Sequence, residues 1–274
     1  MSAPIRANNP PATLQGVMIP IDSPAVGALL ADIVEAASAE ILPLWRNNVA
    51  VDRKADDSPV TEADRRAEAV ILRRLAEAFP DTPVISEEDA AEFGTPSAIG
   101  PRFFLVDPLD GTKAFVRGDE HFTVNIGLVE HGVPVAGAVA APVQGRTWFT
   151  GADGALRRPF GGAAEPVRVR PWDDAQSLAL ISHTMRPEAL EALKAQYGFA
   201  HSLAMDSSIK LCIIAEGGAD IYARHGTTME WDIAAGHAVL AAAGGAVRQP
   251  DGAPFFYGKA DQGFKNGWFV ARGG

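Results

Sequence analysis

Cysteine is nearly absent: the 274-residue chain has only Cys212, so no internal disulfide can form. Cys212 sits in the apolar stretch Ile209-Lys-Leu-Cys-Ile-Ile214 and reads as a small buried hydrophobe. A run of about 18 apolar residues is also lacking, so no membrane-spanning helix is expected. Arg6 is followed by prolines crowding residues 4–24, not by the apolar segment of a secretory signal. The expectation is a cytoplasmic protein, free or peripheral at the inner membrane face. Basic residues are in deficit: 24 Lys and Arg against 34 Asp and Glu give a net charge of −10. This argues against a nucleic-acid-binding face, which needs a basic excess. It leaves room for an anionic small molecule, because a bound cation inverts the local sign. Disorder is excluded by a composition 47% hydrophobic and 21% charged.

The length fits one large domain or two ordinary ones. Residues 1–21 are proline-rich and aperiodic and read as a flexible tail. Ser23-Pro24 suits the start of a helix running to about Leu44, with Val26, Leu29, Leu30, Ile33, Val34 and Ala37 on one face. Residues 47–60 read as extended and turn-rich. A second helix is expected from Thr61 to Phe79, stopped by Pro80. Strand signals follow at 83–86, 102–106, 122–130, 133–141 and 146–150, with His131-Gly132 as a hairpin turn and Gly154 and Gly161-Gly162 as breaks. Residues 22–165 thus read as an α+β domain with an antiparallel meander. Residues 166–274 read as an α/β domain. Strands are expected at 178–182 and 219–224, helices at 187–197, 207–217 and 232–243, and short strands near 247, 255 and 269.

The most informative positions are Asp107-Pro-Leu-Asp-Gly-Thr112. The apolar run Arg102-Phe-Phe-Leu-Val106 places Asp107 at a strand end. A turn there can aim two carboxylates at one point, and hard oxygen ligands suit magnesium, calcium or manganese. Gly111 permits close backbone approach and Thr112 adds a hydroxyl. Glu87, in Val84-Ile-Ser-Glu-Glu-Asp89, ends an apolar strand in acid; a solvated loop is the alternative. Asp232 precedes an alanine-rich helix, where an N-cap is an ordinary role. Asp64 closes Thr61-Glu-Ala-Asp64, which a capping box explains in full.

Ser58-Pro-Val-Thr-Glu-Ala-Asp64, Ser86-Glu-Glu88, Asp107-Pro-Leu-Asp-Gly-Thr112 and Trp231-Asp-Ile-Ala-Ala-Gly236 together resemble the inositol monophosphatase superfamily of magnesium-dependent, lithium-sensitive phosphatases. Within it, Asp107–Phe115, His121–Leu128, Asp206–Cys212 and Ala215–Arg224 are most similar to the 3′(2′),5′-bisphosphate nucleotidases of the CysQ type, with Ala114 where that branch usually has glutamate. The resemblance implies a five-layer αβαβα sandwich with the site between the two halves. It implies that Glu87, Asp107 and the Leu109 carbonyl bind a first magnesium, and that Asp107, Asp110 and Asp232 bind a second. Two or three ions are expected, with manganese able to substitute and lithium and calcium inhibitory. Asp64 and Thr112 match the pair that activates the attacking water, and the Gly111 and Thr112 amides would contact the scissile phosphate. Ser207, Lys210 and Arg224 match positions that grip a 5′-phosphate, and His183 would join that pocket. The implied activity is removal of the 3′-phosphate from 3′-phosphoadenosine 5′-phosphate by direct attack of water, with the sulfated precursor as a further substrate. An inositol-1-phosphate or histidinol-phosphate phosphatase is the alternative, and a non-catalytic metal- or nucleotide-binding protein a second. The expected partner is a small nucleotide bisphosphate, and the chain a monomer or homodimer.

Overall fold

The computed structural model describes residues 25–47, 50–54 and 58–274. The tail expected over 1–21 and the Ser23-Pro24 helix start lie outside them. Helix α1 (Val26–Ile41) is followed by the short strands β1 (Val51–Arg53) and β2 (Pro59–Thr61), which pair antiparallel. Then come α2 (Glu62–Ala78), β3 (Val84–Ser86), α3 (Glu87–Phe93), β4 (Arg102–Asp110) and α4 (Thr112–Arg117). An antiparallel run follows: β5 (Thr123–Glu130), β6 (Val133–Ala141), β7 (Arg146–Gly151), β8 (Gly154–Pro159) and β9 (Glu165–Val167). The remaining elements are β10 (Leu178–Ile181), α5 (Pro187–Tyr197), β11 (His201–Ala204), α6 (Ile209–Ala215), β12 (Ile221–Arg224), β13 (Thr228–Met229), α7 (Glu230–Ala242), β14 (Ala246–Arg248), β15 (Lys265–Asn266) and β16 (Phe269–Arg272).

Strands β3 to β9 form a seven-stranded sheet in sequence order. A second sheet has the order β11-β10-β12-β16-β14. Side chains alternate between faces along a strand, and the alternation in β4 sorts the core. Phe104 and Val106 face α1 and α2, where Leu30, Ile33, Ile71 and Leu75 are fully buried. Phe103 and Leu105 face the opposite way, onto α6 and α7. Those helices also cover one face of the second sheet through Leu180, Tyr222 and Phe269. The other face of that sheet, Ala179, Ile181, Ile221 and Val270, receives Leu193 of α5. The order is therefore helices, sheet, helices, sheet, helix: the five-layer αβαβα sandwich.

Helix α7 lies in the middle layer, and ten of its residues are buried. It approaches the first sheet closely because Gly127 and Gly137 pair across β5 and β6. A Cβ on Gly137 would stand 2.6 Å from the Ala235 carbonyl oxygen, and one on Gly127 would stand 2.8 Å from the Ala235 nitrogen. Two adjacent glycines thus make a shallow trough that brings the start of α7 down to β4.

Several expectations change. The first helix ends at Ile41, short of Leu44. The meander is not wholly antiparallel: β3 runs parallel to β4, joined by the crossover that contains α3. Gly154 does not break the pattern; at φ +143° it opens β8. The segment near 255 is no strand beyond a bridge between Arg248 and Pro254, and Phe255 instead packs on Tyr257 and Phe269. The His131-Gly132 hairpin is as expected, with both residues at positive φ.

Candidate active site

The acidic residues meet because of an irregularity in β4. Asp107 and Asp110 are an odd number of positions apart, so a regular strand would send them to opposite faces. Asp107 pairs with Asn125 and Asp110 with Thr123, so three steps on β4 oppose two on β5. This bulge adds one residue and turns both carboxylates into one cavity. Glu87 reaches it from the start of α3 and Asp232 from the first turn of α7. One carboxylate oxygen from each of Glu87, Asp107 and Asp232 lies within 4.8 Å of the others.

Local bonds fix these groups. Asp107 Oδ1 accepts the Leu109 amide at 3.0 Å. Asp232 Oδ2 accepts the Met229 amide at 2.7 Å, so Asp232 is the third residue of its helix and not the N-cap of the sequence expectation. Asp64 completes a capping box: its Oδ2 accepts from the Thr61 amide and the Thr61 hydroxyl, both at 2.7 Å. Its other oxygen, Oδ1, faces the Thr112 hydroxyl at 3.2 Å. That hydroxyl lies equally 3.2 Å from the Leu109 carbonyl, and its one proton can serve only one acceptor at a time. Gly111, at φ +97°, makes the turn into α4; a Cβ there would come within 3.0 Å of the His121 carbonyl.

The cluster repels itself. Burial pushes the Asp107 carboxyl well above its ordinary range, and Glu87, Asp110 and Asp232 push the same way. Burial likewise raises Asp232, helped by Asp110 and Glu87. Asp110 is pushed up to about 6 by burial, against the opposing pull of Lys210 and the Ser208 amide. Lys54 Nζ sits 2.5 Å from Glu87 Oε1 and 2.7 Å from Glu88 Oε1. Burial opposes the Lys54 charge, but these carboxylates outweigh it and hold the ammonium above its usual range. Converging hard oxygens whose like charge is only partly compensated are the donor set of a divalent cation, and the group is able to hold one.

The cavity, about 960 Å³, continues to the start of α6 and the end of β12. Ser207, Lys210, Arg224 and His183 all line it, together with Gly111 and Thr112. Lys210 is buried, donates to the Met205 and Ser207 carbonyls at 3.2 and 2.5 Å, and lies over the Tyr222 ring. Burial lowers it to about 8, with Asp110 opposing. Arg224 Nε is buried without a hydrogen-bond partner among the described residues. His183 Nδ1 faces Asp206 at 3.3 Å, and Arg117 reaches the same carboxylate at 2.9 Å. Trp231 packs on Phe264 beside Asp232.

A model of the inositol monophosphatase family matches residues 26–269. The chain belongs to that family. Membership carries the phosphatase class with it. Among its relatives, the 3′(2′),5′-bisphosphate nucleotidase CysQ of Escherichia coli strain K12 is 42% identical over 204 residues, 74% of this chain and 81% of that protein. The protein of the same name from Buchnera aphidicola is 34% identical over 245 residues, 88% of this chain and 91% of that one. The crystal structure of CysQ from Bacteroides thetaiotaomicron superposes with a TM-score of 0.72 at 34% identity, covering 90% of this chain and 96% of that chain. An inositol monophosphatase from Zymomonas mobilis shares the fold, with a TM-score of 0.71 at 24% identity.

The fold thus brings Glu87, Asp107, Asp110 and Asp232 into one cavity, along with Lys210 and Arg224, while Asp64 is buried behind its wall and reaches it only through Thr112. Three residues beside the site were given no role by sequence reading. Lys54 stands beside Arg53 in a short charged run with no periodicity to mark it. Asp206 and Ser208 flank Ser207 but lie in a loop whose partners are distant in sequence. Among the described residues, no helix is long and apolar enough to cross a membrane.

Proposed function

We propose that this phosphatase removes the 3′-phosphate from 3′-phosphoadenosine 5′-phosphate, giving AMP and phosphate, with the sulfated precursor as a second substrate. One observation carries the reading. A single cavity has a carboxylate cluster at one end and, at the other, the buried Lys210 and the part-buried Arg224, whose Nε is enclosed. A simple monophosphate needs the first end alone; a bisphosphate uses both. The names of the CysQ relatives agree.

Glu87, Asp107 and the Leu109 carbonyl would hold one magnesium ion, and Asp107, Asp110 and Asp232 a second. Bound magnesium supplies charge neutralisation and a more acidic water. Asp64 Oδ2 is committed to Thr61, which leaves Oδ1 and the Thr112 hydroxyl to orient the attacking water and take its proton. Burial raises the Asp64 carboxyl, in the direction that suits a base working near neutral pH. With the Leu109 carbonyl serving as a metal ligand, the Thr112 proton would be left to Asp64. The Gly111 and Thr112 amides contact the scissile phosphate. Lys210 and Arg224 grip the 5′-phosphate, Arg224 through its planar fork of donors, with Ser207 and His183 at the edge of that pocket.

The test is phosphate release in magnesium from 3′-phosphoadenosine 5′-phosphate, inositol 1-phosphate, histidinol phosphate and AMP. A strong preference for the bisphosphate is expected, lost in Lys210→Met and Arg224→Met. Equal or better turnover of inositol 1-phosphate would keep the carboxylate cluster and discard the clamp. Unimpaired turnover by Asp107→Asn would discard the cluster.

A further inference from the structure

The two ends of the cavity belong to different sheets, and a bisphosphate can be read only if their separation is held. We infer that Ser208, which lies outside the proposed catalytic and clamp residues, is the positioning residue that sets this separation, and so a determinant of specificity for bisphosphates. The inference rests on the bisphosphate reading above.

The geometry is a closed ring of three hydrogen bonds. The Thr123 and Ser208 hydroxyl oxygens are 2.7 Å apart, the Ser208 hydroxyl donates to Asn125 Oδ1 at 2.7 Å, and Asn125 Nδ2 donates to Thr123 Oγ1 at 3.4 Å. With Ser208 donating to Asn125, Thr123 must donate to Ser208, so every group is both donor and acceptor. All three residues are buried: Thr123 and Asn125 are 0% exposed and Ser208 4%. Thr123 and Asn125 are the β5 partners of Asp110 and Asp107, so the ring straddles the bulge that aims the carboxylates. The Ser208 amide also donates directly to Asp110 Oδ2. On its other side, Ser208 adjoins Ser207, whose carbonyl receives Lys210 Nζ.

Ser207 has φ +59°, a costly conformation for a side chain of this kind. Such a residue persists only where its surroundings over-determine it. The ring and the Asp110 contact supply that constraint. They bolt the segment bearing Lys210 to the strand bearing Asp107 and Asp110. Loss of the Ser208 hydroxyl leaves Asn125 Oδ1 without its donor and lets the clamp drift, while the carboxylates keep their bulge.

The experiment compares Ser208→Ala with wild type on 3′-phosphoadenosine 5′-phosphate and on 3′-AMP, which has the reacting phosphate but no 5′-phosphate. A rise of about tenfold in KM for the bisphosphate is expected, the size of one buried hydroxyl bond. Constants for 3′-AMP should stay within about twofold, because alanine keeps the backbone amide that holds Asp110 and the strand pairing keeps the bulge. Equal losses on both substrates would reduce Ser208 to a general structural role and overturn the inference. An unchanged preference for the bisphosphate would overturn it as well. If wild type itself handles the two substrates alike, the clamp reading fails first and takes this inference with it. Should Ser208→Ala not fold, Thr123→Val opens the same ring from the β5 side and is read by the same criteria.

Discussion

Replacing Asp110 by Asn should make the metal-free protein more stable while disabling it. The Asp110 carboxyl is pushed from an ordinary 3.8 to about 6, first by burial. At about 1.4 kcal/mol per pH unit, that displacement corresponds to about 3 kcal/mol against the folded state when the group is ionised. Part of the carboxylate still meets water in the cavity, and screening reduces the figure to about 1–2 kcal/mol. Asparagine keeps an oxygen for the Ser208 amide, so the loss of charge is the main change. The sign follows from linkage. A carboxyl raised in the folded state binds protons there between pH 3.8 and about 6, so wild type loses stability as pH rises through that window. The variant's advantage should therefore be near zero at pH 4 and complete above pH 6 to 7.

The assay is thermal melting in EDTA across that range, then in magnesium. At pH 8 in EDTA the variant should melt about 2–8 °C higher, from about 2–4 °C per kcal/mol for a chain of this size. In magnesium the order should reverse, because wild type gains about 2.7 kcal/mol at a hundredfold excess over Kd and the variant gains less. Turnover should fall at least about a hundredfold. A variant that melts at or below wild type in EDTA at pH 8, and responds to magnesium equally, would refute the claim that this cluster is strained for want of a cation.

Three further outcomes follow from single features. Asp64→Ala should lower kcat by a factor of about 10² to 10⁴ and cost about 1 kcal/mol in urea denaturation, since it removes both the Thr112 contact and the capping box; an unchanged kcat would confine Asp64 to the cap. Gly137→Ala should destabilise by about 1–3 kcal/mol and weaken the magnesium-induced melting shift, because the new methyl would overlap the Ala235 carbonyl and lift α7 with Asp232. His237 is lowered to about 4 by burial, with Nδ1 3.0 Å from Tyr257 Oη. It must gain a proton on unfolding, so its contribution is complete above pH 6.5 and lost as pH falls towards 4, a difference of about 3 kcal/mol. His237→Gln should flatten that acid limb in denaturation measured from pH 4 to 8.

The sequence by itself determined most of the elements and the family. Residues 102–106 and 122–141 carry largely apolar, β-prone runs whose stable outlet is a buried sheet, and Thr61 with Asp64 can close a capping box whatever surrounds them. The motif order from Ser58 to Gly236 marked the acidic positions because hard-cation chemistry restricts the choice to carboxylates. Tertiary structure alone decided how those positions meet. Strand periodicity would have parted Asp107 from Asp110; a bulge, which is a property of two paired strands, brought them together. The parallel pairing of β3 depended on how α3 crosses the sheet, which no local pattern encodes. Lys54, Asp206 and Ser208 could be given no role from the sequence, because their contacts are to partners such as Glu87, His183 and Thr123 that lie far along the chain. A residue's local chemistry can be read from its type and its near neighbours, but burial, field and hydrogen-bond partners arise only when distant segments are packed against one another.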